Sequence, residues 1–93
     1  MNLSDVKIMS ERLNLDIGKY DYDFDVFVND ISAKIDKIKD TKKIGQVIVA
    51  VDYQDIEDED YLGNNRIWPI KISAACIDKS AFDTLIKNII SYL

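Results

Sequence analysis

The sequence predicts a single α+β domain, with elements in the order α-α-β-β-α and helices packed against an antiparallel β-hairpin. Three observations lead there. Segments 24–39 and 80–92 repeat apolar residues at helical spacing, whereas 46–54 and 66–76 are rich in β-branched residues with apolar positions at period two. The whole chain has 93 residues, enough for one core and no second domain, so the domain is taken as residues 1–93.

In chain order, Leu3, Val6, Met9 and Leu13 recur at near-helical spacing behind Asn2 or Ser4 as an N-cap, which reads as a first helix over about residues 4–13. LNLDIG at 13–18 then alternates Leu13, Leu15 and Ile17, a pattern that fits either a short edge strand or a linker. From Phe24 the apolar stripe is continuous through Phe27, Val28, Ile31, Ile35 and Ile38. Asp23 and Asp25 stand at its start and Lys34, Lys37 and Lys39 at its end, as the helix dipole favours. QVIVAVDYQ puts Val47, Val49, Val51 and Tyr53 on one strand face, and the apolar Ile48 and Ala50 between them predict cover on both faces. In the second strand Trp68, Ile70, Ile72, Ala74 and Cys76 share the core face. Pro69 cannot donate to a ladder, which predicts an edge or a bulge at that end. The last helix starts capping-box-like at Ser80 with Asp83 three residues on, and Phe82, Leu85, Ile86, Ile89, Ile90 and Leu93 make its apolar face.

Composition narrows the function classes. At 47% hydrophobic and 31% charged, the chain is too apolar to be disordered and too evenly charged to span a membrane. The start MNLSDVKIMSER has acids where a secretory signal needs a basic, then apolar, stretch, so a cytoplasmic location is expected. The net charge is -5, distributed as -4 over residues 1–30, +3 over 31–43, -6 over 44–65 and +2 over 66–93. Direct binding to a phosphate backbone is disfavoured, because that affinity comes from Lys and Arg displacing counterions. The small basic cluster Lys37, Lys39, Lys42 and Lys43 is explained by its place at a helix C-terminus.

Several chemistries lack their residues. With no histidine there is no Ser-His or Cys-His triad and no imidazole zinc site. The lone Cys76, set in ISAACI, reads as a small buried hydrophobe and allows neither an intrachain disulfide nor a thiolate cluster. Gly18, Gly45 and Gly63 are too far apart for a phosphate loop or a dinucleotide fingerprint. Asp21, Asp23 and Asp25 match positions 1, 3 and 5 of an EF-hand loop. Val26 then stands where that loop turns on Gly, and Ser32 where it needs a bidentate Glu, so helix capping is the better reading. No metal, cofactor or catalytic residue is expected, and an acid-base enzyme would need buried carboxylates that these exposed runs do not suggest.

The carboxylates of the acidic stretch 52–61 repel one another and serve no core, which fits a solvated hairpin tip, a cation site built from several of them, or recognition of a basic surface. Asp52, Asp55, Glu57, Asp58, Glu59 and Asp60 with Tyr53 and Tyr61 form a hairpin tip suited to a basic protein surface: tyrosine supplies area and a hydrogen-bonding end, and complementary charge speeds encounter. Tyr20, Asp21 and Tyr22, outside the helical stripe, are candidates for the same surface. In size, acidity and lack of catalytic groups the chain is similar to small proteins of phages and mobile elements that inhibit host enzymes. That likeness is one of composition and carries no residue across. The expectation is a non-enzymatic module that mimics a row of phosphates and binds no nucleic acid or membrane itself; because a two-stranded sheet leaves unpaired edges, either LNLDIG adds a third strand or two chains pair edges as a homodimer. The alternative is an assembly subunit acting through strand pairing and helix packing.

Overall fold

A computed structural model of the chain describes residues 6–54 and 66–93. The order is β-α-β-β-α: β1 (Lys7–Asp16), a 3-10 turn (Gly18–Tyr20), α1 (Phe24–Ile38), β2 (Ile44–Val51), β3 (Ile67–Cys76) and α2 (Lys79–Tyr92). The strands form one antiparallel sheet in the order β1-β3-β2, so β1 and β2 run parallel to each other with β3 between them, a split β-α-β arrangement.

The expected order α-α-β-β-α is therefore corrected at its first element. Residues 7–16 are a strand, not a helix, and LNLDIG supplies its second half. The physical reason lies in the spacing. Met9 and Leu13 are four residues apart, an even number that satisfies period two as well as a helical turn. Read at period two, Met9, Leu13 and Leu15 face the helices opposite Ala74, Ile70 and Trp68, while Ser10, Arg12 and Asn14 face outward. Glu11 interrupts the apolar row and hides it.

Pairing on both sides makes β3 the central strand, which contradicts an edge position for its proline end. Pro69 is tolerated because its missing N–H falls on the β2 side at the last rung, where its carbonyl accepts from Asp52 N at 2.9 Å. The hairpin of β2 and β3 is antiparallel as expected, with a register irregularity between Ile44 and Val47. Cover on both faces of β2 is not found: Val47, Val49 and Val51 turn inward, but Ile48 is 54% exposed on the outer face.

The helices lie on one face of the sheet. Asp23 caps α1, its side chain accepting from Asp25 N at 3.0 Å and Val26 N at 3.3 Å, and Phe27, Ile31 and Ile35 enter the core. For α2 the cap is Asp78, which accepts from Ala81 N at 2.8 Å; Asp83 instead pairs with Lys79 at 2.9 Å, so the box expected at Ser80 does not form. Phe82, Leu85, Ile86 and Ile89 are buried against Ile70, Ile72, Ala74 and Cys76. Every buried residue among those described is apolar or aromatic, and the free Cys76 is one of them, its thiol pKa raised by burial and by Asp78. No helix among the described residues is long and apolar enough to cross a membrane.

Candidate interaction surface at the acidic end of the sheet

Because β1 and β2 both run antiparallel to β3, the end of β1, the end of β2 and the start of β3 meet at one end of the sheet. Asp16 stands opposite Ile67, Ile17 N donates to Arg66 O at 2.9 Å, and Asp52 bonds Pro69. The 3-10 turn and the N-terminus of α1 join them, tied down by an aromatic chain: Tyr20 meets Phe27 edge-on at 5.4 Å, Phe24 lies 5.8 Å from Phe27, and Phe24 stacks on Trp68 at 6.2 Å. Residues 55–65 leave after Gln54 and rejoin at Arg66, both at this end.

The candidates separate here. Tyr20 belongs to the core: it is 9% exposed, and its hydroxyl donates to Asp30 Oδ2 at 2.7 Å. Burial first, and then the Asp30 carboxylate, push its phenol up to about 12, while the Tyr20 and Lys34 hydrogen bonds hold Asp30 below the ordinary carboxylate value. Asp21 and Tyr22 take left-handed backbone, at φ 53° and 59°, and so turn the chain abruptly into α1. An aspartate tolerates that region better than a tyrosine, so Tyr22 is the strained residue. Tyr22 is 45% and Tyr53 67% exposed, and Asp21 is open to solvent. Asp52 is less available, as its side chain accepts from Gln54 N at 3.0 Å and stands 3.9 Å from Arg12 Nε. Asp55, Glu57, Asp58, Glu59, Asp60 and Tyr61 lie outside the described residues.

An ion pair at this end was not legible in the sequence. Asp16 accepts from Gly18 N at 2.8 Å and Arg66 Nε at 3.3 Å, and Arg66 Nη2 lies 3.1 Å from its second oxygen, which together keep its carboxyl below the ordinary range. A Cβ at residue 18 would sit 2.8 Å from Arg66 Nε, so Gly18 lets the guanidinium approach the turn. Fifty positions separate the pair, and only the β1–β3 register brings them together.

Among the described residues no group of three or more His, Cys, Asp or Glu is placed to hold a metal ion. Comparison with protein-family models, curated proteins and solved structures finds no match for this chain.

Proposed function

We propose that the chain is a protein-interaction module whose acidic end docks on a basic, nucleic-acid-binding surface of another protein and competes with the nucleic acid. The observation that carries this reading is the convergence at one end of the sheet: exposed Asp21, Tyr22 and Tyr53 stand where the segment containing Asp55, Glu57, Asp58, Glu59 and Asp60 departs and returns. Aromatic area beside closely spaced carboxylates is what a surface of Arg and Lys recognises. The sheet and the Phe24–Trp68 stack supply the rigid base.

Reversal of Asp55, Glu57, Asp58 and Glu59 to Lys is expected to abolish capture of the partner and leave the circular dichroism and melting curve of the domain unchanged. Binding of the unaltered protein falls steeply from low to moderate salt, because exposed charges are screened over about 8–10 Å at physiological ionic strength. A reversed protein that still captures the same partner overturns the reading.

A second reading, an assembly subunit working by strand pairing and apolar packing, is favoured by one feature of the sheet. Its outer face carries Ile8, Ile48 and Ile67 at 75%, 54% and 47% exposure. Complexes formed through that face would resist salt.

A further inference from the structure

We infer that the outer edge of β1 pairs antiparallel with β1 of a second copy about a two-fold axis at Met9, joining two three-stranded sheets into one of six strands. The direction of the backbone groups sets which registers are possible. Ile17 N donates toward β3, to Arg66 O, so by alternation the odd-numbered residues of β1 point at β3. Ile8, Ser10 and Asn14 therefore turn their N–H and C=O away from the sheet, and no strand among the described residues receives them. The edge is ten residues long, of which Lys7–Glu11 would lie opposite the second copy with the axis at Met9, and its pairing with β3 shows no bulge, whereas β2 has a register irregularity. Bulges are a common device for protecting an edge, and β1 lacks one.

Outward groups must meet outward groups, so a symmetric pair can be centred only on one residue facing its own copy. Centring on Glu11 or Arg12 opposes like charges, centring on Ser10 sets Glu11 against Met9 and Lys7 against Leu13, centring on Ile8 sets Lys7 against Met9, and centring on Leu13 sets Glu11 against Leu15. Centring on Asn14 sets Arg12 against Asp16, which Arg66 and Gly18 N already hold, and Glu11 against the buried Ile17. Centring on Met9 sets Lys7 opposite Glu11 of the second copy, twice by symmetry, with Met9 against Met9 between them and Ile8 hydrogen-bonded to Ser10. Lys7 and Glu11 are both exposed, and neither forms a salt bridge among the described residues, although Glu11 lies near enough to Lys79 of its own chain to help raise that lysine's pKa. Glu11, an inward-pointing charge at the edge of an apolar row, deters indiscriminate strand addition; a partner bearing Lys at the matching position removes the penalty, and this chain is such a partner. Equal parity keeps both pairs of helices on one face. Beside the edge, Met9, Glu11, Lys79, Phe82 and Asp83 line a shallow groove between β1 and α2 that the incoming strand would cover. The acidic ends would then lie at opposite extremes of the dimer.

Sedimentation equilibrium or light scattering across a concentration series tests the pairing with the full chain. The unaltered protein is expected to show the dimer mass. Lys7→Glu alone and Glu11→Lys alone each oppose like charges and shift the mass toward the monomer; Lys7→Glu with Glu11→Lys restores the dimer. Ile8→Pro removes an outward N–H and no bond to β3, so it yields a folded monomer by circular dichroism. A monomer at every concentration for the unaltered protein overturns the inference, as does a dimer that survives either single reversal or fails to return in the double variant.

Discussion

Tyr20, Tyr22 and Asp23 occupy four consecutive positions with Asp21 and have three different fates. Tyr20→Phe removes a part-buried hydrogen bond to a carboxylate and is expected to cost about 1 kcal/mol at neutral pH, read from urea unfolding. The pH dependence has a definite sign. The phenol of Tyr20 is raised from 10.0 to about 12 in the fold, so its contribution is complete below pH 10 and is lost as pH rises toward 12. The Phe variant should therefore lose less stability than the unaltered protein over that window; an equal loss would contradict the buried phenol. Asp23→Ala removes the cap of α1 at a cost of about 1 kcal/mol. Tyr22→Asn, by contrast, relieves a left-handed tyrosine and should stabilise the domain by about 0.5–1 kcal/mol, measured in the same way. The cap was legible because Asp23 precedes an unbroken apolar stripe. The burial of Tyr20 was not, because it depends on a backbone reversal at Asp21 and Tyr22 that side-chain pattern does not encode.

At the scale of elements, α1, the two hairpin strands and α2 are encoded redundantly: period, β-branching and flanking charge agree, and the expected bounds lie within two or three residues of those found. The helix expected over about 4–13 gives way to β1 because the apolar positions there are few and Glu11 sits among them. Only the need of β3 for a second partner distinguishes a strand there from a helix. The same missing partner made Pro69 look like an edge residue, although β3 is central. The two faces of the sheet give a direct check. Ile72→Ala, at 0% exposure on the inner face, should cost about 2–5 kcal/mol, whereas Ile48→Ala on the outer face should change stability by less than about 0.5 kcal/mol in thermal or urea unfolding. Comparable costs would mean that the outer face is covered.

Across the whole molecule, charge follows topology. The parallel course of β1 and β2 sends Asp16 and Asp52 to one end. Lys39, Lys42 and Lys43 lie in the turn that leads into β2, at the other end. The acidity of 52–61 was legible in the composition, but that Asp52 and Tyr53 share an end of the sheet with Asp21 and Tyr22 required the β1–β3 pairing. Recognition by the acidic end is the central claim, and capture from the native host at low and moderate salt tests it most directly, with the unaltered protein and the Asp55, Glu57, Asp58 and Glu59 to Lys variant as paired baits. The claim predicts a nucleic-acid-binding protein held at low salt, released at moderate salt, displaced by nucleic acid and absent from the variant. The same protein retained by both baits at both salts would contradict it.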